Sequence, residues 1–263
     1  MILALVRAGF RRQVRYRAAM LGGAATNCVF GLLRASIITA TIASAGGSLA
    51  GYAASTGITY VWVSQALLAP LQIFVWVDLA ERIRTGDIAV DLARPVDLQV
   101  QYGAQDIGRA LAVTLPRAVP ILAVGVVTFG LTFPPGPWPY LAGLLSTVLG
   151  VGVSFGCRYL LNLSSIWLLD IRGVVTVYVT VSTVLCGLVV PVRWFPGWLA
   201  TLTAVTPFPS MLQAPADLLT GRVGGGPAVA GVLGTQVAWL VVLLALGQAV
   251  QRLGTRRLVV QGG

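Results

Sequence analysis

The chain has 263 residues, of which 57% are hydrophobic and only 10% charged, against roughly a quarter charged in a soluble domain. Its net charge of +10 is carried by Arg alone, with no Lys and no His. This excludes a phosphate-loop lysine, and with it the usual ATP-binding motif, and removes the commonest acid–base group and metal ligand. The composition is that of an all-α polytopic membrane protein.

Residues 1–20 open with a helical pattern: Leu3, Val6, Phe10 and Val14 share one face, and Arg7, Arg11 and Arg15 another. Such a basic amphipathic helix lies in a membrane surface, and its long basic region separates it from a signal peptide. Six spans follow on a criterion of about 20 apolar residues, near 22–43, 55–77, 110–131, 139–161, 171–190 and 228–250. The Gly-rich Ala45–Ser55 and the Thr132–Pro139 stretch TFPPGPWP are uncharged and read as outer loops. Arg7 to Arg17, Arg82, Arg84, Arg94, Arg109, Arg158, Arg172, Arg252, Arg256 and Arg257 fall on the other side, which the positive-inside rule makes cytoplasmic, with both termini. Trp138, Tyr140, Trp194, Phe195 and Trp198 are expected at the outer interface, and Trp76 and Trp167 at the inner one. Cys28, Cys157 and Cys186 are far apart in apolar stretches, without metal-ligand spacing, and read as packing residues.

Most of the eight acids fall in residues 78–109, between the second and third spans. Asp78/Arg82 and Glu81/Arg84 have helical ion-pair spacing, Thr85-Gly86 stops that helix, and Asp87 is placed to cap a second, two-turn one. There Ile88, Val90 and Leu92 give an apolar side, Asp91 and Arg94 pair, and Pro95 ends it. The expectation is a charged amphipathic hairpin beside the membrane. Arg34 stands alone in the first span, with no acid expected in any span, so it is assigned to a translocation path or a subunit interface. Arg158 is expected to reach Asp170 across the short turn after the fourth span. Residues 191–224 are apolar but broken by Pro191, Pro196, Pro207, Pro209 and Pro215, which predicts two short re-entrant helices, about 196–205 and 209–220.

Five runs carry a resemblance: GYAASTGITYVWVSQAL (Gly51–Leu67), RTGDIAVDLARPVDLQ (Arg84–Gln99), IWLLDIRGV (Ile166–Val174), VVPVRWFPGWL (Val189–Leu199) and TPFPSMLQAPADLLTG (Thr206–Gly221). In this order the chain resembles the type-2 ATP-binding-cassette (ABC) exporter permeases of the six-span, viologen- or drug-exporter-like branch. The resemblance implies a coupling helix at Glu81–Asp97 on a separate ATPase subunit, with Glu81, Arg84, Asp87, Ile88, Asp91, Leu92 and Arg94 as contacts. Asp170 and Arg172 form a second contact, Arg7–Arg17 a connecting helix, and Trp194, Phe195, Pro196, Trp198, Pro207 and Phe208 a re-entrant outer gate. It further implies two ATPase subunits, a second permease that is a copy or a paralogue, a bacterial plasma membrane location, no cofactor in this chain and ATP with Mg on the ATPase. The expected cargo is a small amphiphilic, cationic or drug-like molecule moved outward. A secondary ion-coupled transporter would need a titratable group or broken helix at mid-membrane, and a lipid-modifying enzyme would need paired acids or His near the interface. Nucleic-acid binding is set aside because the Args cluster at membrane boundaries.

Overall fold

A computed structural model describes residues 1–74, 77–168 and 170–256, with the Arg17 side chain left out; Trp76 and Arg257 lie outside the described residues. The chain folds as helices around one member, α3, that is buried along most of its length. α1 spans Ile2–Val14 and α2 Arg17–Ser44. A two-stranded antiparallel hairpin, Ser48–Leu49 with Tyr52–Ala53, then turns the chain, an addition to the all-α expectation. Its two central residues, Ala50 and Gly51, both take positive φ, the geometry that matches a tight turn to the twist of its strands.

α3 covers Ala54–Leu71, and every residue from Gly57 to Leu71 is buried. It packs on α2, on α6 (Leu98–Phe129), on α7 (Trp138–Leu163) and on α11 (Gln213–Leu219). Being apolar all round, its sequence suits a helix with no face toward solvent or lipid. Between α3 and α6 lie α4 (Asp78–Thr85) and α5 (Ile88–Leu92). After α7 come a 3-10 turn at Ser164–Ile166, then α8 (Arg172–Leu185), α9 (Gly197–Ala204), α10 (Phe208–Met211) and α12 (Gly226–Thr255), which lies on α7.

Four of these helices, α2, α6, α7 and α12, are long and apolar enough to cross a membrane. The other two expected spans come out shorter than the sequence predicts. α3 stops at Leu71 because Gln72 takes the left-handed conformation just after Pro70, and α8 is 14 residues, about 21 Å at 1.5 Å per residue. α6 is longer than expected: it starts at Leu98, not near 110, because the Asp97 carboxylate accepts the backbone N–H of Val100 and caps it. The second short helix of the 191–224 segment is split at Leu212 into α10 and α11.

α1 lies across the first turns of α6 with backbone against backbone. A Cβ on Gly9 would run into the carbonyl of Gln105, and one on Gly108 into the carbonyl of Val6. These two glycines, not the Leu3/Phe10 stripe, set the contact; Leu3 and Phe10 stay exposed, facing away from the bundle. Gly108→Val should therefore expel α1, seen as loss of hydrogen-exchange protection in residues 2–14 while α3 keeps its own.

Candidate functional site

At the end of the bundle that carries the start of α1 and the end of α12, the hairpin α4–α5 is held from three sides. Arg12 of α1 donates to Asp78 at 2.6 Å. The Asn162 side chain of α7 accepts the backbone N–H of Ala80 at 3.0 Å, and Leu79, Ile83 and Ile88 pack with Tyr102, Phe155 and Tyr159. Asp91, only 2% exposed, receives Arg82 at 2.6 Å, the Tyr102 hydroxyl at 3.0 Å and the Gln101 amide at 3.1 Å. Burial alone would raise the Asp91 carboxyl; the donations from Gln101, Arg82 and Tyr102 outweigh it and hold it below the usual carboxylate range.

This corrects the sequence reading in several places. Glu81 and Arg84 do pair, at 2.7 Å, but Asp78 goes to α1 and Arg82 to Asp91 instead of to each other. Arg94 does pair with Asp91, at 3.9 Å, but the Asp87 side chain does not cap α5; it accepts the Thr85 hydroxyl at 3.1 Å. Ile88 and Asp91 face inward, so the outward surface consists of Glu81, Arg84, Asp87, Val90, Leu92 and Arg94. Asp170 and Arg172, both exposed, join it: with Glu81 and Arg84 they line one concave surface of about 400 Å³. Arg7, Arg11 and Arg15 are exposed on α1.

Beneath this surface is an ionic cluster that the sequence reading missed. Asp106, on α6, bonds Arg109 at 2.7 Å and Arg158 of α7 at 2.8 Å. Arg158 is 1% exposed, and its expected partner Asp170 pairs instead with Arg172 at 3.8 Å. The expectation of no acid within a spanning helix fails at Asp106, since α6 begins before it. Arg109 also donates to the carbonyls of Ala69 and Pro70, both at 2.8 Å, and Ser154 donates to that of Leu71. The cluster thus satisfies carbonyls freed where α3 stops, and joins α3, α6 and α7 at one point. The third charged residue of α6, Arg117, donates to the Ala19 carbonyl at 3.3 Å.

At the opposite end a second cluster joins the Ser48–Ala53 β-hairpin to the Pro-rich segment. Asp217 of α11 lies 3.6 Å from Arg222, 3.7 Å from Arg193 and 3.4 Å from the Tyr52 hydroxyl. The Arg222 guanidinium covers the Tyr52 ring at 3.3 Å, and Trp194 meets that ring edge-on at 5.8 Å. Phe195, Pro207 and Phe208 are partly buried, Pro196 is exposed, and Trp198 is 71% exposed. Among the described residues, Arg34 of α2 has no hydrogen-bond partner on any of its three guanidinium nitrogens, although all three are shielded from solvent.

Residues 30–262 match the family model described as ABC-2 family transporter protein. The chain belongs to the ABC-2 transporter family. It is a multi-pass membrane protein and the permease component of an ABC transporter, the class that the five sequence runs resemble. Among curated proteins none matches it. In this permease the residues expected to act together divide among three places. The hairpin and the Asp170–Arg172 turn share one concavity at the terminal end, the 191–224 residues gather at the other, and Arg34 lies between them.

Proposed function

We propose that this permease is the membrane half of an ABC exporter, crossing a bacterial plasma membrane six times with both termini cytoplasmic. It works with a second permease, a copy or a paralogue, and two separate ATPase subunits that hold the ATP and Mg. α3 and α8 complete the count of six, α8 in a locally thinned or narrowed part of the bundle, and α9 to α11 form the re-entrant outer segment. The observation that carries the reading is the convergence of Glu81 and Arg84 with Asp170 and Arg172, 86 positions later in the chain (170 − 84), on one concave surface. A lever must be stiff behind and open in front. Asp91, Asn162 and Arg12 stiffen the hairpin from behind, while Val90 and Leu92 stand 59% and 38% exposed in front. Force applied there enters α6 through Asp91 and α7 through Asn162, so that ATPase closure moves two spans at once.

Capture of the full-length permease from its native membrane should bring down an ATPase subunit carrying a phosphate-loop lysine. The Glu81→Lys/Asp170→Lys variant should lose most of it, since opposing charges set across an interface cost about 2–5 kcal/mol. Equal ATPase per permease in both samples would remove the docking assignment. Orientation is tested separately: in a Cys-free background, Cys at Ser48 or Gly136 should react with an impermeant thiol reagent in whole cells, and Cys at Thr85 should not. The reverse pattern would overturn the termini-in arrangement.

A further inference from the structure

Between α2, α3, the outer end of α8 and the 188–194 segment runs a cleft of about 500 Å³, within the roughly 300–1,000 Å³ range of small-molecule pockets. On α2 it extends from Thr26 to Thr41, about 22 Å along the axis, with Arg34 near the middle. Most of its wall is apolar, including Phe30, Ile37, Leu68, Phe74 and Leu188, and none of the residues lining it is acidic.

Four polar side chains line this cleft with hydrogen-bonding atoms that are shielded from solvent and unmet among the described residues: the three nitrogens of Arg34, Oε1 of Gln65, the Thr183 hydroxyl and the indole N–H of Trp194. Gln65 itself is 2% exposed. Buried polar atoms without partners are rare, and each costs about 1–3 kcal/mol, more for a charged group. Four in one cleft describe the complement of a ligand. The guanidinium is a planar fork that fits two oxygens of a carboxylate or phosphate, and the indole is a donor only. The hydroxyl can add a third donor, and Gln65 Oε1 can accept from a ligand hydroxyl.

We propose that this cleft binds an amphiphilic anion, a carboxylate, sulfate or phosphate head on an apolar body, with Arg34 holding the head and Thr183 and Trp194 completing its hydrogen bonds. The proposal rests on the exporter reading and narrows its cargo: a cation would meet Arg34 with no acid beside it. The same chemistry fits two sources, a transported amphiphile and the headgroup of an anionic membrane lipid.

The test is a fluorescence titration of the full-length permease in phosphatidylcholine nanodiscs, with dansylated undecanoate as the anion and its methyl ester as the neutral control. The acid should bind saturably and at least about tenfold more tightly than the ester, the scale of one charge-assisted hydrogen bond. Arg34→Leu should abolish that preference and Arg34→Lys restore part of it. Should Arg34→Leu fail to elute as wild type, Thr183→Val/Trp194→Phe, which removes two donors while keeping the Thr183 shape and an aromatic ring at 194, should still weaken the acid by about threefold or more relative to the ester. In discs containing phosphatidylglycerol, displacement of the acid identifies a lipid headgroup as the occupant, and retained binding identifies a transported amphiphile. Equal binding of acid and ester, an unchanged Arg34→Leu, or no binding because a second permease seals the cleft would each overturn the proposal. No ATPase is present in the titration, so its outcome is separate from docking: lost docking with intact binding would refute the exporter reading alone.

Discussion

Asp106→Leu lowers the melting temperature of the permease in detergent by more than Arg158→Leu does, although Arg158 is the larger and more deeply buried side chain. Removing Asp106 leaves two guanidiniums, Arg109 and Arg158, in the protein interior without a counter-charge. Breaking a buried pair by deleting one partner costs about 3–5 kcal/mol. At about 2–4 °C per kcal/mol for a chain of this size, that corresponds to a fall of roughly 6–20 °C. Removing Arg158 instead leaves Asp106 bonded to Arg109 at 2.7 Å; what is lost besides the pair is two neutral contacts, to Gln72 and Ser154, both at 3.3 Å. About half the shift is expected. Asp106→Asn falls between, because an amide still accepts one hydrogen bond but carries no charge. The comparison is read by fluorescence-detected size-exclusion chromatography after heating. An Arg158→Leu fall equal to or larger than that of Asp106→Leu would show that the cluster is not organised around the carboxylate.

That cluster was illegible in the sequence for a physical reason. Residues 98–109 include Gln99, Gln101, Gln105, Asp106 and Arg109, which a hydropathy reading assigns to water. Their partners come from elsewhere: Leu244 and Asp91 for the two glutamines Gln99 and Gln101, Ala69 and Arg158 for the ionic pair. A polar residue satisfied from another helix looks, in one dimension, like a polar residue satisfied by water. The long apolar helices were legible because span length depends on composition alone, and the family-bearing runs because they keep their order. Arg34 was legible as well: a lone charge among apolar neighbours stands out whatever the fold. In the hairpin, periodicity gave the apolar side but not its direction. Ile88 and Leu92 share a helical face in the sequence, yet Ile88 packs under Tyr102 and Tyr159 while Leu92 stays 38% exposed. Which end of so short a helix is covered is decided by α6 and α7, not by its own five residues.

Under the proposed exporter reading, Asp91→Ala should uncouple the permease while leaving an ATPase bound, which separates the hairpin's anchor from its proposed docking surface. Asp91 faces inward, with only the 3.9 Å approach of Arg94 from the outward side; its three hydrogen-bond donors, Arg82, Gln101 and Tyr102, come from α4 and α6. Without the carboxylate, Arg82 keeps only the Asp87 carbonyl at 3.0 Å, and the hairpin loses its hydrogen-bonded tie to α6, keeping there only the apolar packing beside Tyr102. Loss of a buried, charge-assisted network of this kind costs about 3–5 kcal/mol, enough to let α4–α5 move independently of the span behind it. Glu81, Arg84, Asp170 and Arg172 remain in place, so an ATPase should still be retained, while substrate moved per ATP hydrolysed falls several-fold. Asp87→Lys is the converse: its side chain is exposed and tied only to Thr85, so the fold should be unaffected while docking weakens. The pH dependence follows from the sign of the Asp91 shift. A carboxyl held below its unfolded value of about 3.9 contributes stability that is fully present above that value and is lost only as pH falls through the lower, folded one. Coupling should therefore not change between about pH 5 and 8 through this group. Normal transport per ATP in Asp91→Ala would mean that the hairpin transmits force without its tie to α6, and the lever would have to run through Asn162 and α7 alone.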